Sequence, residues 1–203
     1  MGFIYNVKNF FRYPGGKSRL VKQFAALIPD DRDYCEVFVG GGSVFIEKLK
    51  TLRCKKIWLN DLDLGIYAIW LKVVSSPEYL CDLLYQVQPS IECFDAAKQR
   101  LLAQNYDDLI TAAVDKIIVQ QMSFSGLGLK SGSPLGGYAQ KSKYKIDCRW
   151  NPAAIGKNIS AFAALRKTKN LYVKVTNKPF SEVITEATDY FVYADPPYYE
   201  KGN

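Results

Sequence analysis

The tetrapeptide Asp195-Pro196-Pro197-Tyr198 gathers three chemistries at one point of the chain. It follows Tyr190-Phe191-Val192-Tyr193-Ala194, a short uncharged run of aromatic and β-branched side chains that predicts a buried strand. A carboxylate just past the carboxyl end of such a strand faces the crevice where open α/β sheets bind ligands. The two prolines stop the chain from continuing as a central strand or helix. They also lack N–H groups, so the carbonyls around them are left to face a donor. With the ring of Tyr198, this set suits a planar base bearing an amino group. Taken alone, the tetrapeptide also admits a strand-ending turn with a surface acid.

Two further segments complement it. Glu36-Val37-Phe38-Val39-Gly40-Gly41-Gly42-Ser43 reads as strand, glycine turn and helix start, which brings a nucleoside-like ligand close to backbone amides. Asp61 follows Gly40 by 21 residues and ends the next predicted strand, the place for an acid that binds ribose hydroxyls. Dinucleotide enzymes and S-adenosylmethionine enzymes share this pattern, and a turn that only closes helix onto strand shows it too. Arg12-Tyr13-Pro14-Gly15-Gly16-Lys17-Ser18 has the ending of a phosphate loop, but that motif needs glycine where Phe11 stands, and a strand before it. The segment can instead place a ring and an ammonium at the mouth of a site, with Lys17 meeting the carboxylate of a bound amino-acid group.

Helices are predicted over Ser18–Ile28, Ser43–Leu52 (capped by Ser43), Leu64–Val74, Pro77–Tyr85, Ile91–Ala103, Leu109–Met122 and Pro152–Arg166. Strands are predicted over Tyr34–Val39, Lys56–Asn60, Leu171–Thr176 and Tyr190–Ala194. Gly126–Trp150, rich in Gly, Ser, Lys and Tyr, reads as loops or a β-hairpin. Strands alternating with helices imply a parallel sheet, with a helical and basic insertion between the second and third strands.

Composition narrows the chemistry. The 203 residues are 48% hydrophobic, enough for one packed domain, and no apolar run of about 18 residues suggests a membrane span. Five scattered cysteines without a C-x-x-C pair read as reduced thiols of a cytoplasmic protein rather than as disulfides or a metal site. There is no histidine, which removes Ser–His and Cys–His nucleophile pairs and histidine-bound zinc. The net charge is +7, and from Ser125 to Lys178 eleven lysines and arginines face the single acid Asp147, a local charge of +10. Such clustering is the footprint of a polyanion partner, or else a solvated face.

In combination and in this order, Tyr-Pro-Gly-Gly-Lys, Phe38-Val-Gly-Gly-Gly, Asn60-Asp61 and Asp195-Pro-Pro-Tyr198 closely resemble the Dam-like (D12 class) DNA adenine methyltransferases, from about Phe11 to the last residue. The resemblance implies a Rossmann-like α/β fold, S-adenosylmethionine as cofactor and double-stranded DNA as partner. A cognate restriction endonuclease system is a further partner it allows. It divides the chain into a catalytic part over 1–75, a target-recognition insertion over 76–168 and a return to the catalytic domain over 169–203. By carry-over, Tyr13, Lys17, Phe38, Gly40, Asp61 and Asp195 bind the cofactor, while Asp195, Pro196 and Tyr198 hold the target adenine. The amine of adenine is a poor nucleophile because its lone pair is delocalised, and the base must leave the stack to be reached. Asp195 and the Pro196 carbonyl would accept its two N–H bonds, and Tyr198 would stack on the ring. Other readings are a non-catalytic DNA-binding remnant, or a methyltransferase acting on the amine of cytosine or on a protein amide.

Two departures from the family pattern matter. In Ser123-Phe124-Ser125-Gly126-Leu127-Gly128-Leu129, Ser125 takes the place of an Asn, and Leu129 that of an Arg that contacts guanine in members reading GATC. Leucine cannot make that bidentate contact, which puts GATC specificity in doubt and leaves Lys130 as the residue that could substitute. Phe124 is expected either to wedge between base pairs or to sit in the core. With Phe124, Ser125 and Lys130, the DNA-facing candidates are Lys141, Lys143, Lys145 and Arg149. Second, the sequence stops at Asn203, where family members continue, so the later strands are expected to be absent, the fourth strand to be an edge and activity to be low.

Overall fold

A computed structural model describes residues 7–13, 20–131 and 133–196. Four parallel strands form one sheet among these residues: β1 (Tyr34–Glu36), β2 (Lys56–Asn60), β3 (Tyr172–Thr176) and β4 (Phe191–Tyr193), in the order β3-β2-β1-β4. The register sets Tyr34 against Ile57 on one side and Phe191 on the other. β1 stops at Glu36 rather than Val39, because Val37–Val39 already bend into the glycine turn.

Period-2 alternation in β1 decides what each face buries. Tyr34 faces the larger layer, where its ring stacks on Phe45 of α2 (Ser43–Lys48) at 6.1 Å. There Trp70 of α3 (Leu64–Ser75), Phe162 of α7 (Pro152–Lys169), Phe10 and Phe45 pack mostly edge to face. Cys35 and Val37 face the opposite side, with Trp58 of β2 and with Val183 and Ala187. That side is covered by α8 (Phe180–Glu186), which the sequence pattern does not reveal because Val183 is its one buried residue.

Between β2 and β3 the chain adds α4 (Pro77–Gln86), α5 (Ile91–Ala103) and α6 (Leu109–Met122) before α7. Ser90, Asp108 and Asn151 cap α5, α6 and α7 by accepting a backbone N–H, as their residue types favour. These helices join the sheet's own core: Leu80, Leu84, Ile110, Ile117 and Phe162 are buried in one cluster with Tyr34, Phe45 and Trp70. A second cluster gathers Phe94, Leu101, Ile118 and Met122 between α5 and α6.

Residues 123–150 hold no hairpin among the described positions. Two single 3₁₀ turns, Phe124–Gly126 and Gly128–Lys130, lead to one antiparallel bridge between Ser123 and Pro134. Side chains do the work of a ladder here: Ser123 Oγ accepts from Gly128 N at 2.9 Å, and Gln140 accepts from Ile146 N at 2.8 Å while donating to Leu135 O at 2.8 Å. α1 (Val21–Leu27) precedes β1, and among the described residues no helix is long and apolar enough to cross a membrane.

Candidate active site

The strand order makes β1 the reversal point of the sheet. From β1 the chain winds outward to β2 and β3, and returns on the opposite side as β4. Such a reversal point, at the carboxyl ends of the strands, is where open parallel sheets bind ligands. The loop after β1 is the glycine turn, and the loop after β4 begins Ala194-Asp195-Pro196. Val37 N donates to Tyr193 O at 3.1 Å and holds the two strand ends together.

The glycine turn is shaped from three sides. Asp61, at the end of β2, accepts from Gly40 N at 2.8 Å with Oδ2 and from Asp63 N at 3.0 Å with Oδ1. It is only 8% exposed. Burial raises its pKa, and the two backbone donors oppose that rise. Asp61 thus sits deeper than an acid reaching into solvent. Trp70 Nε1 donates to Gly40 O at 2.9 Å. Gly42 has φ of +64°, and a Cβ there would stand 2.3 Å from the Trp70 ring, so glycine is required at that position. This corrects the expected cap: Gly42 precedes the helix, while Ser43 is its first residue and accepts from Asn9 Nδ2 at 2.6 Å.

Tyr13 lies over this turn, so close that a Cβ on Gly40 would come within 2.6 Å of its ring. It remains partly exposed, and burial with the charges of Asp61 and Asp63 raises its phenol pKa. Phe38 is half-buried, 5.7 Å from the ring of Phe180. Tyr13, Phe38, Gly40 and Asp61 are therefore neighbours around one turn. Lys17, Pro197 and Tyr198 lie outside the described residues. Asp195 is half-buried and Pro196 exposed at the end of β4.

One acid was not anticipated. Glu36 ends β1, is 3% exposed, and accepts from Tyr34 Oη at 2.7 Å. Burial pushes its pKa up to about 8, aided by the negative charges of Asp195 and Asp61 and opposed by hydrogen bonds from Tyr34 and the Phe45 amide. The signal in the sequence was an acid heading an otherwise apolar run. Asn60 stands out in the sequence only as part of the Asn60-Asp61 pair. Its Nδ2 donates to Val37 O and Lys178 O, both at 3.0 Å, and so ties the loops after β1 and β3 to β2.

The basic stretch divides by environment. Lys130, Lys141, Lys143 and Lys145 are exposed, and Arg149 is half-buried. Lys169 donates to Leu52 O at 2.8 Å, Lys174 lies 3.5 Å from the Trp58 ring centroid, and Lys178 pairs with Glu186 at 2.5 Å. The cations after residue 168 thus brace the sheet, and the free ones lie earlier. Phe124 is 56% exposed, which removes the core reading. Ser125 beside it is exposed at φ of +55°. Leu129 packs against the cluster of Phe94 and Ile118, so this position is part of the fold rather than of the surface.

Comparison with known proteins agrees with this architecture. Over 203 aligned residues the chain is 25% identical to the type II methyltransferase M1.LlaDCHI of Lactococcus lactis subsp. cremoris, covering 95% of this chain and 66% of that protein. It is 26% identical to the type II methyltransferase M.MjaIII of Methanocaldococcus jannaschii, covering 95% and 69% respectively. The chain thus spans about two thirds of the length of these relatives. Residues 13–203, which include the glycine turn, Asp61 and the Asp-Pro-Pro-Tyr segment, match one family throughout, and the chain belongs to the D12 class N6 adenine-specific DNA methyltransferases.

Proposed function

We propose that this chain transfers the methyl group of S-adenosylmethionine to the exocyclic amine of an adenine turned out of double-stranded DNA. The observation that carries this reading is that the glycine turn and the segment Ala194-Asp195-Pro196 follow adjacent, hydrogen-bonded strand ends at the reversal point of a parallel sheet, with Asp61 bonded into the turn. The turn and its surroundings fit the cofactor. Tyr13 and Phe38 offer ring faces for a purine, and Asp61 keeps lone pairs beyond its two backbone bonds for ribose hydroxyls. When bound, the cofactor supplies an electrophilic methyl on a sulfonium.

The remaining work falls to the protein's own groups. The carboxylate of Asp195 and the carbonyl of Pro196 accept the two N–H bonds of the amine, which draws its lone pair out of the ring and toward the methyl. Fixed acceptors act without reorganising, and the loop holds them in register with the cofactor turn. No histidine base is needed: the methyl's bonding pair stays on the departing sulfur, and the methylated nitrogen, now strongly acidic, loses its extra proton to solvent water. The roles of Lys17 and Tyr198, an ion pair with the cofactor's carboxylate and stacking on the base, rest on the family resemblance. The 76–168 segment serves target recognition, supported by its exposed lysines and the protruding Phe124.

The test is nucleoside analysis of duplex DNA after incubation with the protein and S-adenosylmethionine. N6-methyladenine is expected. Methylcytosine, or label found only in protein, would move the chain to another amine or amide substrate.

A further inference from the structure

Arg12 and Arg149 lie far apart in sequence and converge on one turn. Arg12 lies across Gly126: a Cβ on that residue would stand 3.2 Å from its Nε and 3.6 Å from its Cζ. Gly126 has φ of +73°, so glycine both permits the turn and leaves room for the guanidinium. Arg149 lines a cavity of about 430 Å³ with Phe124, Ser125, Ser133 and Tyr144. Its Nη1 is sealed from solvent and has no hydrogen-bond partner. The two cations feel each other: Arg12 is held below its ordinary pKa first by burial and second by the charge of Arg149. Among the described residues, no carboxylate pairs with either group.

Folding thus sets both guanidiniums against the Phe124–Gly126 turn, Arg12 over Gly126 and Arg149 in the cavity beside Phe124 and Ser125, and leaves one Arg149 donor unsatisfied. Repulsion of this kind is relieved by a ligand with a full negative charge. A base edge offers only partial charges. A phosphodiester offers a full charge and two oxygens that match a guanidinium fork. The ring of Phe124 protrudes from the same turn, so a strand whose phosphate sits here presents its bases to that ring.

We propose that Arg12 and Arg149 together clamp one phosphate of the DNA backbone beside Phe124. This rests on the reading of the chain as a DNA-modifying protein and assigns a subsite within it. The clamp fixes the position of the strand and carries no sequence information itself.

The experiment is binding of the protein to a duplex series in which one phosphate at a time is replaced by a neutral methylphosphonate. One position should weaken binding by wild type but not by the Arg12→Gln/Arg149→Gln double variant. Between 50 and 200 mM salt, the double variant should also lose about 3.5-fold less affinity than wild type, the share of one phosphate contact. Inorganic phosphate should compete no better than chloride at equal ionic strength. If no single position is sensitive in wild type, the clamp is overturned whether or not the variant folds. Identical profiles in the two proteins overturn it as well. Sensitivity to 7-deazaguanine in place of the neutral linkage would make the pair a guanine reader instead, and tight uptake of free phosphate with a flat profile would make it an anion site unrelated to DNA. A wild type that forms N6-methyladenine without an arginine-dependent position sinks the clamp alone. One that shows the position but methylates no adenine sinks the proposed reaction alone.

Discussion

Replacing Asp61 by Ala separates two roles that the structure gives one carboxylate. The side chain receives the buried amide of Gly40 at 2.8 Å and the partly buried amide of Asp63 at 3.0 Å. An orphaned buried donor costs about 1–3 kcal/mol. The Gly40 amide, in a sealed turn, should cost about 2 kcal/mol, and the wetter Asp63 amide about 1 kcal/mol. Relief of a carboxylate whose burial raises its pKa returns part of this, so a net loss of about 2 kcal/mol is expected. In a domain of this size that lowers Tm by about 4–8 °C. If the same carboxylate also binds ribose hydroxyls, cofactor affinity should fall by about 10–100-fold, the worth of one charged hydrogen bond. Thermal unfolding reads the first effect and calorimetric titration with S-adenosylmethionine below the variant's Tm reads the second. An unchanged Tm would mean that Asp61 does not hold the turn. Unchanged affinity in a destabilised variant would leave it a purely structural residue.

Three other outcomes follow from neighbouring geometry. Gly42→Ala forces a Cβ against Trp70 at positive φ and should cost about 2–5 kcal/mol, read as a lower urea midpoint; a midpoint equal to wild type would show that the turn relaxes freely. Glu36 has a folded pKa of about 8 against an ordinary 4.5, so the stability given by its neutral form is complete below about pH 4.5 and lost as pH rises through about 8. Glu36→Gln should therefore gain stability relative to wild type between about pH 5 and pH 9, and a difference that does not change over that range refutes the buried neutral acid. Converting Lys141, Lys143 and Lys145 to Ala should flatten the salt dependence of DNA binding by about 0.9 per lost phosphate contact, whereas Lys174→Ala and Lys178→Ala, which brace the sheet, should leave the slope as it is.

Much of this was legible in the sequence where periodicity was long or motifs were chained. β2, α5 and α6 have the predicted bounds, because each is a sustained apolar pattern with a capping residue or turn at its ends. The pairing of Gly40 with Asp61 was legible from spacing, but its nature was not: the acid bonds the turn itself and is nearly enclosed, which depends on how β1 and β2 lie side by side. α8 escaped notice because seven residues with one buried position carry no period. The charge count of the 125–178 stretch overstated its free surface, since Lys169, Lys174 and Lys178 are engaged by partners distant in sequence. The same stretch hid the meeting of Arg12 and Arg149, which lie far apart in the chain and meet only at the Gly126 turn.

The central claim is that the strand ends of β1 and β4 carry the site at which an adenine amine held by Asp195 is methylated. Single-turnover incorporation of labelled methyl from S-adenosylmethionine into duplex DNA, with excess protein and nucleoside analysis of the product, tests it most directly when wild type is compared with Asp195→Ala. Wild type should place label on N6 of adenine. The variant should place none while its DNA affinity stays within about threefold, because the role proposed for this carboxylate is toward an amine and not toward phosphates. Label on adenine from the Asp195→Ala protein, or label from wild type on any other acceptor, would contradict the account.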